Sequence, residues 1–459
     1  MKLNKLRVLS ETEVELIHQE SIRILAEAGV RVESEKARNK LRNHGAKVLG
    51  EGNLVKLSAE MIENALKTVP DHFSVFGPEG SREVSVNKKI PTFATQGSPT
   101  KIFDNRPVKF VRDALMDDFA NFLKVAESAE HISCVHLDVW PTDVKYESVH
   151  KYAIPMWMHL SSKPFGMGCR GEKASRETVD ILLKSMDDEE ELRKKPRLMV
   201  FFNPMSPLIL PENLTEGLFV MAFYKQPIII APAATAGMTA PVTLSGLLVQ
   251  INAEILASIT LVQIISPGCP VLYGSVSTPM DPFSLNVSWG AVETGLITSA
   301  ISQMSDFYGI PSRAPGAITS SNMPNDIQSG FERMMNLMMA AYSGVDYITC
   351  AGTYANGEAF SLELMEIDNE MIGSILRGMR GIEVNNKNIP HADISAIVNG
   401  EFPNYLKLRH TLKNTRKEMF IPKLCERRRF NQWFDEGSQT MFERAAELVE
   451  KAKKTEHIR

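Results

Sequence analysis

Residues able to do chemistry stand where short apolar runs end. Asp138 and Trp140 close a run over 132–139, Arg170 follows 165–169, Asn203 follows 198–202 and Pro232 follows 227–230. Further on, Ser275 and Ser277 follow 271–273, Arg313 lies in 310–314, and Thr353 and Tyr354 come after 346–350. The set offers arginines, amides, hydroxyls and aromatic rings. It offers no metal cluster. His131 and His136 are five apart on or beside one run, so their side chains point to opposite faces. His150 and His159 stand alone. A zinc site needs several Cys or His ligands converging, so no metal is expected.

Other chemistries are equally unannounced. Gly-x-Ser-x-Gly is absent, and no Cys/His pair suggests a nucleophile. Gly77-Pro-Glu-Gly80 lacks the Lys-Ser/Thr of a phosphate loop and reads as a turn. The net charge of −4 gives no basic footprint for nucleic acid. The five cysteines, Cys134, Cys169, Cys269, Cys350 and Cys425, are isolated and odd in number. Reduced thiols in the cytoplasm are expected. The N-terminus runs into a helix start without an apolar core, so no signal peptide is expected, and no run of about 18 apolar residues suggests a membrane span.

The elements that must position these residues alternate. Ser10-Glu-Thr-Glu13 is a capping box opening a helix to about Ala28, and a second helical stretch covers 59–69. Residues 71–87 read as a hairpin about the turn 77–80. Beyond Lys89, apolar runs alternate with helical stretches at 113–129, 174–185, 244–265, 287–308 and 326–342. The first strand comes from 92–95 or 101–103. About eight strand–helix alternations in some 300 residues favour a (β/α)₈ barrel, with active-site residues at the C-terminal strand ends. No Gly-x-Gly-x-x-Gly follows a strand, which weakens a Rossmann reading. The expected class is α/β: an N-terminal helical module with strands (1–88), a TIM barrel (89–400) and a C-terminal helical extension packed on it (401–459).

Several strings carry a resemblance: Asn203-Pro-Met-Ser-Pro-Leu208, Ala231-Pro-Ala-Ala-Thr-Ala-Gly-Met-Thr-Ala-Pro-Val-Thr-Leu-Ser-Gly246, Asn252-Ala-Glu-Ile-Leu-Ala257 and Pro267-Gly-Cys-Pro-Val-Leu-Tyr-Gly-Ser275. Two more are Ser320-Ser-Asn-Met-Pro-Asn-Asp-Ile-Gln-Ser-Gly-Phe-Glu332 and Ser361-Leu-Glu-Leu-Met-Glu-Ile-Asp-Asn-Glu-Met371. With them the chain resembles the trimethylamine methyltransferase family of corrinoid-dependent enzymes. The resemblance implies transfer of a methyl group to the Co(I) atom of a corrinoid held by a separate small protein. No cofactor is then bound permanently, and the partners are that corrinoid-binding protein and a small quaternary amine. A homo-oligomer is also expected. One branch of the family carries a pyrrolysine near the loop before Ser320. All 459 positions here are ordinary residues, which implies the branch acting on betaines such as glycine betaine, proline betaine or carnitine. His is expected near Cys350 in betaine-specific relatives, so the choice among betaines stays open.

What a betaine needs guides the choice of site residues. Its quaternary nitrogen cannot donate a hydrogen bond and suits aromatic faces, and its carboxylate suits a bidentate arginine. The expected substrate-binding residues are Arg313 for the carboxylate, Phe93, Tyr354 and Phe360 as cage members, and Asn203 and Glu254. Each has a plainer reading: a structural arginine, core aromatics, a turn cap and a helix-surface acid. No catalytic residue is assigned, because a neutral leaving amine needs no general acid. The rivals are a barrel lyase or hydrolase, which needs an acid/base pair, and a non-catalytic betaine-binding protein.

Overall fold

A computed structural model describes residues 5–50, 53–80, 82–87, 90–104, 111–186 and 188–455. The expected boundary at 88/89 and the first four residues lie outside them. Eight parallel strands form the centre: β1 (Thr92–Phe93), β2 (Val135–His136), β3 (Phe165–Gly168), β4 (Leu198–Phe202), β5 (Ile228–Ile230), β6 (Val271–Gly274), β7 (Ser312–Pro315) and β8 (Tyr347–Thr349). Each pairs with its neighbours in chain order, and β8 returns to β1. The ring closes between β1 and β2. Ser133 N donates to Phe93 O at 2.8 Å and Thr95 N to Cys134 O at 3.3 Å. The expected (β/α)₈ barrel is the observed one.

Strand alternation sorts the side chains. Outward residues such as Phe93, Val200, Ile228, Ile230, Val271 and Ile348 join the large core beneath the helices. Inward ones, Ala94, Cys134, Met199, Ile229, Leu272 and Tyr347, form a separate inner cluster with Phe73, Val75 and Val86. Those three belong to the hairpin Phe73–Phe76/Glu83–Val86, which plugs the N-terminal end of the barrel. Among the described residues, the expected hairpin is therefore a stopper at that end, with the opposite mouth left for a ligand.

Ser10 caps Glu11–Glu27 through a complete capping box, as read from the sequence. The first helices pack on Leu244–Ile265. That helix corrects one expectation: it is long and apolar enough to cross a membrane, yet 78% of its apolar window is buried inside the protein. Its apolarity serves a helix covered on all sides. The run 101–103 is corrected too. Lys101–Phe103 pairs with Ala359–Phe360 and Val111–Asp113 in a side sheet rather than the barrel. Before residue 380, five further described helices, Glu35–Asn43, Val149–Leu160, Glu189–Lys194, Glu212–Phe223 and Leu362–Met379, go beyond the helical stretches expected from the sequence.

The last helix, Met441–Lys453, buries Ala445, Val449 and Ala452 against Leu362–Met379 and Met116–Ser128. Between these elements runs an arm with three helices, His391–Val398, Arg409–Glu418 and Phe430–Asp435, none of which buries a residue. Along it Ile382, Val384, Val398, Leu406, Leu412 and Phe430 are each more than 70% exposed.

Candidate active site

Three inward side chains stack above the hairpin plug. His136 lies flat against Phe201, centroids 5.0 Å apart at 13°. Its Nε2 is 2.6 Å from the Tyr347 hydroxyl. Glycine on β3 makes room, because a Cβ on Gly166 would stand 1.6 Å from His136 Nδ1. Burial, then the Arg313 charge, holds His136 well below its ordinary pKa, so the ring is neutral. Two residues further along β3 the lumen opens, since a Cβ on Gly168 would meet nothing within 4 Å.

Arg313 enters this lumen from β7. It is 1% exposed. Its Nε donates to Gln96 Oε1 at 2.8 Å and one terminal nitrogen to Ser275 O at 2.8 Å. A flat approach over β6 is possible because Gly274 has no Cβ; one would lie 3.2 Å from the Arg313 stem. Among the described residues no carboxylate forms an ion pair with Arg313. Its titratable neighbours are the neutral His136 and Cys350 and Tyr347, the last two with pKa values raised by burial. The guanidinium is thus a desolvated positive charge with hydrogen bonds but no counter-ion.

Asp138 presents the opposite charge at the end of β2. It is fully buried, and neither carboxyl oxygen makes a hydrogen bond of normal geometry. Burial pushes its pKa up to about 7; the Thr95 hydroxyl and the backbone at Gly97 and His136 offset only part of that. The Thr353 hydroxyl beside Gly97 is likewise unpartnered.

The loop after β8 completes the wall and is held in uncommon geometry. Cys350, Ala355 and Asn356 have φ of 79°, 52° and 53°, a region that non-glycine residues adopt only under constraint. The constraint is a buried ion pair behind the loop. Arg333 Nε donates to Asp368 Oδ1 at 2.7 Å, a second guanidinium nitrogen donates to Oδ2, and the third to Thr353 O. Asp368 Oδ2 also accepts from Gly352 N at 2.7 Å.

The residues expected from the sequence divide sharply. Arg313 reaches the lumen, and Asn203 stands exposed at the mouth end of β4. Phe93 points outward from β1 into the core under the helices. Phe360 packs edge-on against Phe122 at 5.3 Å. Tyr354 belongs to an apolar cluster with Phe103, Leu364 and Ala445. The structure does not bring these three rings together. Glu254 is buried and accepts from Ser206 Oγ (2.8 Å), Leu208 N (3.0 Å) and Gln250 Nε2 (3.0 Å), fastening the loop after β4. Asp138, His136 and Gln96 were not among the expected binding residues. Their signal was the period of two, which puts His136 and Asp138 on one face of an otherwise apolar run. Arg170 occupies the aromatic faces at the mouth, 5.2 Å from the Trp140 ring and 5.0 Å from that of Tyr146.

Such a lumen can bind and orient a small zwitterion. Its described thiols, Cys134 and Cys350, are not poised as nucleophiles, because burial raises both. No group of three or more His, Cys, Asp or Glu side chains among the described residues could hold a metal.

Known proteins point the same way. A sequence model described as trimethylamine methyltransferase (MTTB) matches residues 1–456. The glycine betaine methyltransferase of Desulfitobacterium hafniense is 31% identical over 443 residues, covering 95% of this chain and 90% of that protein. A proline betaine:corrinoid methyltransferase of Eubacterium limosum is 31% identical over 458 residues, covering 98% and 92%. The crystal structure of the Methanosarcina barkeri monomethylamine methyltransferase has a TM-score of 0.52 at 11% identity, covering 98% of this chain and 88% of that one. At that identity the likeness shows the fold.

Proposed function

The chain belongs to the trimethylamine methyltransferase family, and on that premise we propose that it moves a methyl group from a betaine to the corrinoid of a separate protein. One observation carries the betaine reading: Arg313, fully buried at the barrel axis without a carboxylate partner among the described residues. A betaine carboxylate supplies the missing counter-ion. In the transfer the C–N bond breaks and its electron pair stays on nitrogen. The leaving group is a neutral tertiary amine, so no proton donor is needed. Co(I) of the corrinoid supplies the electron pair for the new bond. The protein's own part is to hold the zwitterion, orient one methyl toward the mouth and keep water out. The hairpin plug makes that mouth the approach for the corrinoid protein.

The test mixes the protein with a reduced corrinoid protein and, separately, glycine betaine, proline betaine, carnitine, trimethylamine and dimethylglycine, following the cobalt spectrum. One betaine should methylate the corrinoid and leave its once-demethylated amine as product. Trimethylamine, which has no carboxylate to meet Arg313, should not react, and dimethylglycine, which lacks the third N-methyl group, should lag far behind the betaine. Turnover of either at the rate of the best betaine would sink the reading.

The exposed apolar arm, 382–434, leads us to expect a homo-oligomer. Thirteen large apolar side chains exposed there offer on the order of 1,000 Å² per copy, the scale of a stable homodimer contact. Light scattering should give a multiple of 51.2 kDa, and Val398→Lys with Leu406→Lys should reduce it to the monomer. A wild-type monomer that gains mass only with the corrinoid protein would assign the arm to that partner instead. The five free cysteines, four of them buried, suit a reducing compartment; we place the protein in the cytoplasm, which cell fractionation checks.

A further inference from the structure

We infer that Asp138 is the counter-ion for the quaternary ammonium group of the substrate. This rests on the betaine reading and deepens it by naming what holds the cation.

An aromatic cage was the natural expectation, but its members are engaged elsewhere. Phe93 and Phe360 lie in the core under the helices and Tyr354 in a satellite cluster. The Trp140 and Tyr146 faces already carry Arg170. What the lumen offers instead is a fully buried carboxyl, neither oxygen of which makes a hydrogen bond of normal geometry. Burying a carboxyl is costly, and the Thr95 hydroxyl with the backbone at Gly97 and His136 offsets only part of that cost. Thr95, His136, Tyr347, Cys350 and Thr353 surround it. Arg313, a permanent cation in the same lumen, donates to Gln96 and Ser275 rather than to Asp138. Arg313 and Asp138 thus both face the lumen, no ion pair joins them among the described residues, and open space lies at Gly168. A zwitterion with its charges apart satisfies both at once; a carboxylate alone or a cation alone leaves one unmet. A quaternary ammonium has no N–H, so it binds through charge and methyl contact. That suits a carboxylate held in a dry site, where Coulomb attraction is strong.

The arrangement predicts a pH signature. Among the described residues, Asp138 is the one group facing this space that titrates near neutrality, at about 7. His136 is neutral well below that, and Tyr347 and Cys350 keep their protons well above it. Arg313 stays charged throughout. Below about pH 7 the cation must displace the Asp138 proton into solvent, so affinity falls as pH falls.

Calorimetric binding of glycine betaine, proline betaine, carnitine and γ-butyrobetaine, with tert-butylacetate as the carbon isostere of glycine betaine, decides the matter. Wild type should bind its betaine more tightly as pH rises through about 7, release a proton below that, and bind the uncharged-headgroup isostere without either trend. Asp138→Asn should weaken betaine binding on the order of tenfold or more, flatten the pH profile and leave the isostere unchanged, whereas Asp138→Glu should keep the pH dependence. Should Asp138→Asn not fold, the wild-type proton release and isostere comparison still decide. A pH-independent wild type, or an Asp138→Asn protein with wild-type affinity, overturns Asp138 as the counter-ion while methyl transfer to the corrinoid stands. A wild type that binds none of the betaines overturns the betaine reading itself, and this inference with it.

Discussion

Asp368→Ala should lower the free energy of unfolding by about 3–5 kcal/mol, because it breaks a buried ion pair and leaves the other charge unpaired. Both Arg333 and Asp368 are fully buried. Burial raises the Asp368 pKa, and Arg333 with the Gly352 amide only partly counter it. The cost of burying the carboxylate is offset by what it orders. It fixes Gly352 directly, and Arg333 fixes Thr353 through the backbone oxygen. Between them they hold a stretch in which Cys350, Ala355 and Asn356 sit at positive φ. Without the clamp the loop keeps only bonds further along, such as Ala355 N to Ser321 O at 3.0 Å and Asn356 N to Thr319 O at 3.1 Å, and the lumen wall at Cys350 and Thr353 loosens. Arg333→Met with Asp368→Leu should recover much of the stability, since neither charge is then stranded, but not the activity, since the loop contacts stay lost. Urea unfolding of the single and double variants, with methyl transfer measured beside it, gives both answers. A loss below about 1 kcal/mol in Asp368→Ala would place the pair among solvated ones.

The barrel was legible because its strands are buried on both faces and read as short apolar runs, as in 198–202 and 228–230. The cap at Ser10 was equally plain, being a capping box. The side sheet at 101–103 misled because Ile102 and Phe103 are buried like barrel residues, and only the pairing of Thr92–Phe93 with β8 tells them apart. Val149–Leu160 hid behind Pro155, which sits inside the helix. The inward placement of Arg313 was legible because a permanent charge inside an apolar strand must face either a buried partner or a ligand. The aromatic choices failed because proximity to a strand end does not fix which face a ring takes: Phe93 lies one residue from the inward Ala94 and points the other way. Asp138 needed strand register. One step along β2 decides between lumen and core, and its importance lies in what it lacks, which no sequence displays.

Arg313→Ala should raise the betaine KM by roughly tenfold to a hundredfold, the equivalent of about 1.5–3 kcal/mol for lost charge-assisted hydrogen bonds. The carboxylate is remote from the C–N bond that breaks and keeps its charge throughout. Its contact with the guanidinium is therefore equally strong in ground and transition states, and the loss falls on KM more than on kcat. Arg313→Lys should rescue little. The present arginine commits Nε to Gln96 and one terminal nitrogen to Ser275 O, and a lysine cannot serve both and still meet a carboxylate. Structural damage would look different, and a carboxylate-free cation separates the two. Tetramethylammonium should bind weakly to the wild type and no more weakly to Arg313→Ala, because it never used the arginine. An equal loss for tetramethylammonium and betaine would make Arg313 a structural support of the strand ends. An unchanged betaine KM would take it out of the site, and with it the charge that makes this lumen a place for a zwitterion.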